Sequence, residues 1–386
     1  MKKALRKIHL WLSVPTGIII TLVCFSGAML VFEKEITEAI KPELYFVKET
    51  KGEPIPMQQL MEKVEETLPD SVSISGVTVF ADSTRTYQVS LSKPRRASIY
   101  VNQYTGEVTG RSERLPFFNT MFHLHRWLLG SLSGVGKLLT GICTLVLVFI
   151  LITGILMWLT NRNKPLKASL AIHVTKGWGR FWHDLHVAGG IYTTIILLAM
   201  ALTGLTWSFS WYRTGFYACF GVESSEKGGA HGEGGNSHGE GRYSHGDGRN
   251  NHEGKRGEGR GFHRRSPYRH WEDVLNEVAL KNPGYQQITL KPEVAEVVPE
   301  GRLSMRATDK YSYDRRSGEI TDVQLYSAGK KDTKVRSGVY MVHTGSWGGI
   351  ITRILNFLAA FIGATLPLTG YWLWFRRKRA ANAHHH

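Results

Sequence analysis

Two apolar stretches far apart in the chain open on the same residue pattern: Ile8-His9 leads to Ser26-Gly27, and Leu185-His186 leads to Thr203-Gly204. In both, eighteen residues separate the histidine from the glycine, about 27 Å at helical rise and close to the hydrocarbon thickness of a bilayer. Two further apolar stretches are also led by histidine. His123 and His125 precede Leu138 to Leu159, which closes on Thr153-Gly154 and Trp158; His343 precedes Ile350 to Phe375, which closes on Thr369-Gly370 and Trp374. An ionisable side chain at the edge of an apolar helix is costly and marks a site more often than chance would place it there. Imidazole is also the usual protein ligand of haem iron, which needs an axial nitrogen on each side of the macrocycle, and two facing helices each supply one. The chemistry these residues offer is electron transfer through haem b held by histidine pairs, His9 with His186 and His125 with His343. For any one of them, the bland reading is a wetted polar tip in the headgroup region. His183, on the helical face of His186, and His123, beside His125, are further cofactor-binding candidates as alternative ligands or as neighbours of a haem carboxylate.

The elements that must position these rings are four membrane spans, at 8–32, 138–159, 187–209 and 350–375. Shared His-led starts and Thr-Gly closes make the chain a duplicated two-helix unit, and repeats of this kind place a site at the interface between copies. The expected fold class is an α-helical integral membrane protein, a four-helix transmembrane bundle, internally duplicated, with two α+β modules outside the bilayer. The chain has 386 residues and a formal net charge of +16. That charge invites a nucleic-acid reading, but the basic residues cluster where they would set topology. Lys2, Lys3, Arg6 and Lys7 precede the first span, Arg162, Lys164, Lys167, Lys176 and Arg180 lie between the second and third, and Arg376 to Arg379 follow the fourth. The positive-inside rule puts the loop 160–182, the tail 376–386 and both termini in the cytoplasm of a bacterial inner membrane, with 33–122 and 210–342 periplasmic. The first span lacks a small-residue cleavage site and reads as a retained anchor. Three cysteines, Cys24, Cys143 and Cys219, give no disulfide framework or zinc spacing. The closing His384 to His386 read as a tag remnant and are set aside.

Each outer region begins with an amphipathic helix, Pro56 to Leu68 in one and Trp271 to Leu280 in the other, followed by strands. The expected strands are Val77-Val79, Tyr87 to Leu91 and Ile99-Val101, then Ile288-Leu290, Leu303-Met305 and Ser312-Tyr313. Matching hairpins run from Asn102 through Gly106 to Val108 and from Asp314 through Gly318 to Ile320. Between the third span and the second helix lies a Gly- and His-rich tract, 223–265, with His231, His238, His245 and His252 at seven-residue intervals. It reads as a disordered insert, with weak divalent-metal binding by these histidines and Glu233, Glu240 and Asp247 as the sharper alternative. His173, His263 and His270 read as surface or loop residues, mostly without a role.

Leu124-His125-Arg126 with Leu128-Leu129-Gly130, Leu185-His186 with Gly190, Val342-His343-Thr344-Gly345 with Gly348-Gly349, and the Thr-Gly-x-x-x-Trp endings resemble the PepSY-associated transmembrane proteins over nearly the whole chain. Within that family the chain is similar to inner-membrane ferric-siderophore reductases of the FoxB type. The resemblance implies PepSY-like periplasmic modules, haem ligands at His9, His125, His186 and His343, and reduction of ferric siderophores or other ferric chelates in the periplasm. Ser13, where the motif often has glycine, Val187, where arginine is common, and the Gly/His tract depart from the family pattern. Reduction releases iron because hard oxygen donors grip Fe(III) better than the softer Fe(II). No G-x-G-x-x-G strand-to-helix unit is present, so a quinol or a separate cytoplasmic reductase is the expected electron donor. Lys93, Arg95, Arg96, Arg264, Arg265 and Arg269 either draw in an anionic chelate or form a solvated face. Two competing classes are a non-catalytic membrane regulator that binds or inhibits a peptidase, and a transporter. Spans without central carboxylates or broken helices speak against the latter.

Overall fold

The computed structural model describes residues 2–50, 52–94, 97–130, 134–160, 169–222, 266–302 and 304–383. The Gly/His tract, with its candidate metal ligands and the neighbouring Arg264 and Arg265, lies outside the described residues, as do Arg95, Arg96, Leu303 and His384 to His386.

Four helices are long and apolar enough to cross a membrane: Lys2–Leu30, Val135–Thr160, Trp178–Ser208 and Ser346–Ala380. We call them the first to fourth spans. All begin before the apolar runs legible in the sequence, and the second and fourth also run past them, because basic and polar end turns continue the helical hydrogen-bond ladder past the greasy segment. The first span packs on the second and fourth, and the third also packs on the second and fourth, so the bundle is a four-cornered ring. Its interior is knit by small apolar patches such as Ile20, Cys24, Cys143 and Ala364, and Leu151, Leu197 and Ala359. Close approach depends on glycine: a Cβ on Gly363 would stand 2.9 Å from Leu197 Cδ2. Ile18, Ile195 and Ile351 point outward and are 64–78% exposed, the apolar-outside pattern of a bundle whose solvent is hydrocarbon.

The third span is not one regular helix. Trp178–Asp184 and Gly190–Ser208 are α-helical, and Leu185–Gly189 between them forms a π-turn. A π-turn adds a residue without adding a turn, so it rotates everything before it relative to everything after.

The segments joining the first span to the second and the third to the fourth carry eight strands: β1 Ile74–Phe80, β2 Tyr87–Leu91, β3 Ser98–Val101, β4 Val108–Arg111, β5 Gln287–Lys291, β6 Val294–Val298, β7 Asp309–Tyr313 and β8 Ile320–Gln324. Two α+β modules, one in each half of the chain, are expected from the sequence. The structure joins them edge to edge through antiparallel β1 and β5, giving one sheet of order β4-β3-β2-β1-β5-β6-β7-β8. At the seam Thr78 faces Thr289, and their buried hydroxyls are hydrogen-bonded at 2.8 Å. The reason is burial: β1 and β5 are apolar on one face and would each expose an unpaired edge alone. Helices Met57–Glu65 and Trp271–Lys281 cover that face together, and Leu60, Val64, Val77, Trp271, Val274 and Ile288 belong to one core. Of the strand expected at Leu303–Met305, the described Ser304 and Met305 are not in a strand, Met305 and Arg306 lying in a turn, and β7 pairs instead with β6. Val294–Val298 carries Glu296 in its middle, which disguised it.

The two hairpins match in detail. Asn102 Oδ1 accepts the Tyr104 N–H at 2.9 Å and Asp314 Oδ1 accepts the Arg316 N–H at 2.7 Å. Gly106 (φ +72°) and Gly318 (φ +78°) then take left-handed backbone.

Candidate functional site

The candidate ligands meet in two pairs. The rings of His9 and His186 lie 6.5 Å apart between centroids, and those of His125 and His343 lie 6.0 Å apart. His9 comes from the first span and His186 from the π-turn of the third. His125 stands near the end of helix Pro116–Trp127, and His343 near the end of helix Lys331–Thr344. Each outer helix stops just beyond its histidine in left-handed backbone, Gly345 (φ +76°) in one case and, less comfortably, Leu128 and Leu129 (φ +48° and +65°) in the other.

Each imidazole sits against a Ser-Gly or Thr-Gly pair on a neighbouring helix, and these contacts fix its protonation. His186 Nδ1 lies 3.1 Å from the Leu366 carbonyl, His125 Nδ1 2.9 Å from that of Val23, and His343 Nδ1 2.9 Å from that of Met200. A carbonyl only accepts, so Nδ1 carries the hydrogen in all three. His9 Nδ1 lies 3.0 Å from Thr153 Oγ1, whose single hydroxyl hydrogen has the Phe149 and Ile150 carbonyls as acceptors at 2.9 Å, so Nδ1 is the donor here too. All four rings thus donate from Nδ1 and keep Nε2 clear of protein partners, the arrangement that backbone carbonyls and hydroxyls commonly impose on metal-binding histidines. The adjacent glycines let the rings come close. A Cβ on Gly27 would stand 2.8 Å from His125 Cε1, on Gly204 3.1 Å from His343 Cε1, and on Gly370 3.3 Å from His186 Cε1, whereas one on Gly154 would clear His9 Cε1 at 3.7 Å.

With metal–nitrogen bonds of about 2 Å, an imidazole–metal–imidazole unit places ring centroids roughly 6 Å apart. Both pairs fit that spacing. Around the inner pair lies a cavity of about 1190 Å³, lined by His9 and His186, by Trp158 and Trp374, and by a basic rim including Arg6, Arg180, Arg377 and Lys378. Trp158 and Trp374 thus line the site, and Trp207 packs its ring 5.0 Å from that of His343. Fourteen residues separate His9 from Val23, the outer pair's partner on the same helix, about 21 Å along the span.

The remaining candidates are placed differently. His123 turns onto Trp127, with ring centroids 4.9 Å apart. His183 lines the inner cavity, and its Nδ1 lies 3.2 Å from Asp184 Oδ1. Asp184, which sequence reasoning passed over, is 4% exposed and also accepts from Arg180 Nε at 2.8 Å and His173 Nδ1 at 2.7 Å. His173 is therefore tied into the site's wall and is not an idle surface residue. The cue was available: a lone aspartate between two histidines at the mouth of an apolar run. Among the described residues no three His, Cys, Asp or Glu side chains gather as a metal cage.

No curated protein matches the chain. The family model of the PepSY-associated TM region matches residues 6–377, so the match spans all four membrane helices and the sheet between them. The chain is a multi-pass membrane protein and belongs to the PepSY-associated TM family.

Proposed function

We propose that this protein carries electrons across a bacterial inner membrane on two b-type haems and reduces ferric siderophores or other ferric chelates on the outer side. The observation that carries the reading is the shared tautomer of His9, His186, His125 and His343: Nδ1 is occupied, Nε2 is free, and the rings face in pairs at 6.5 and 6.0 Å. A bis-imidazole haem supplies a one-electron carrier when bound. The chain's own part is to hold and shield it. Thr153 and Thr369 orient the inner imidazoles, apolar residues such as Leu147, Ile150 and Leu151 line the cavity, and Arg6, Arg180, Arg377 and Lys378 offer charge to the haem's carboxylates. The matched seats and matched hairpins support an internal duplication, with each half of the sheet as one PepSY-like module. Basic residues at the Lys2 end and after Phe375 support cytoplasmic termini and a periplasmic sheet.

The test is the visible spectrum and haem-to-protein ratio of the purified chain. Two haems per chain are expected, with a Soret band that shifts on dithionite reduction. Alanine at His9 or His186 removes one haem, and alanine at His125 or His343 removes the other. Each loss abolishes reduction of a ferric hydroxamate. A chain that stays pigment-free when made in haem-replete cells would overturn the reading.

A further inference from the structure

We infer that the inner cavity has a second occupant, the head of a lipid-soluble quinol, and that His183 Nε2 accepts a hydrogen bond from its hydroxyl. This rests on the proposed function only in naming what shares the cavity. A volume of about 1190 Å³ exceeds the roughly 300–1,000 Å³ usual for a pocket that takes one drug-sized ligand, and the lining runs on from the His9 and His186 rings to His183, Asp184 and Arg180. Chemistry separates the two regions. Toward mid-membrane the lining is apolar, with Ile20, Leu147, Ile150, Leu151 and Leu197; at the mouth stand His183, Asp184 and Arg180.

His183 is built for a hydroxyl rather than for a carboxylate. Asp184 is a carboxylate held by Arg180 Nε and His173 Nδ1, at 2.8 and 2.7 Å on Oδ2, and it accepts from His183 Nδ1 at 3.2 Å on Oδ1. A carboxylate in that ring of donors only accepts. With its Nδ1 hydrogen given to Asp184, the His183 ring in its uncharged form has Nε2 as its remaining polar atom, an acceptor that suits a quinol O–H better than a haem carboxylate. The apolar depth beyond suits an isoprenoid tail entering from lipid. His183 is thus a binding residue and Asp184 a positioning residue that sets its tautomer.

The experiment is direct binding to the full-length protein in detergent, using a fluorescent hydroxyquinoline N-oxide as quinol analogue and an azido-quinone as photolabel. Saturable quenching and labelling of peptides carrying residues 180–191 are expected. His183→Leu weakens the analogue at least tenfold, His183→Gln restores part of the affinity through its amide oxygen, and Asp184→Asn falls between. Haem content is measured on the same samples. Labelling that maps outside this cavity, or a His183→Leu variant that binds like the parent, overturns the quinol site whatever the haem content. A pigment-free chain that still binds the analogue in a His183-dependent way leaves the site standing and sinks the haem reading instead.

Discussion

At the scale of single residues the four histidine seats are alike in kind but graded in tightness, and the grading makes them testable. The space between ring and glycine is 2.8 Å at Gly27 and 3.7 Å at Gly154, measured to where a Cβ would stand. The first distance is shorter than real Cβ contacts tolerate; the second is ordinary van der Waals contact. Gly27→Ala therefore pushes His125 off its seat, at a cost of about 1–3 kcal/mol for overpacking, while Gly154→Ala leaves His9 in place and gains slightly from helix propensity. Thermal unfolding reads the first effect directly. On the proposed function, the haem-to-protein ratio also falls by about half in Gly27→Ala and is unchanged in Gly154→Ala. Equal behaviour of the two variants would show that the glycines are helix-packing points unrelated to the rings. Ser13, a departure from the family pattern, is absorbed locally: its hydroxyl donates to the His9 carbonyl within the same helix.

At the scale of elements, the seam between β1 and β5 is what turns two four-stranded halves into one sheet, and its strength can be measured. Thr78 and Thr289 are 7% and 4% exposed, and each hydroxyl has the other as partner. Thr78→Val alone strands a buried hydroxyl on Thr289 and costs about 1–3 kcal/mol; the double valine variant removes both groups and returns most of it. Hydrogen exchange of β1 and β5 in the full-length protein measures the difference, and additive single effects would mean that the hydroxyls do not support each other. This seam was not legible in the sequence. Alternation, glycine turns and amphipathic helices marked the strands β1 to β3, β5 and β7 and both hairpins, because those are local signals. Which edge meets which is decided by shared burial under Met57–Glu65 and Trp271–Lys281, a long-range outcome that no local pattern encodes. The histidine pairing was legible because membrane thickness imposes a ruler. The π-turn that aims His186 and the aspartate behind His183 were not, since both depend on packing between spans.

At the scale of the whole molecule, the sheet must stay in register with the bundle, because His125 and His343 hang on helices that connect the two. Several contacts among the described residues tie them. Arg114 Nε and Nη2 hold the Glu33 carboxylate at 2.5 and 2.7 Å, the Arg306 guanidinium lies 3.4 Å over the Tyr340 ring, and Arg353 of the fourth span grips both oxygens of Glu35 and the Val31 carbonyl. The Arg353 hydrogen bonds hold the Glu35 carboxyl below the usual carboxylate range. A depressed folded-state pKa means that this contribution is present above the unfolded value and fades as pH falls through the folded one, so the clamp is intact at neutral pH and opens in acid. With the Glu35 side chain 45% exposed, its worth is at most about 1 kcal/mol. That is too little to unfold the chain but enough to change how often the junction opens. Hydrogen exchange across residues 31–40 should therefore speed up several-fold between neutral pH and acid, after correction for the intrinsic rate. Glu35→Gln should exchange at the faster level throughout and show no further pH step. A Glu35→Gln variant that keeps the parent's pH dependence would place the acid-sensitive junction elsewhere, with Arg114 and Glu33 the next pair to test.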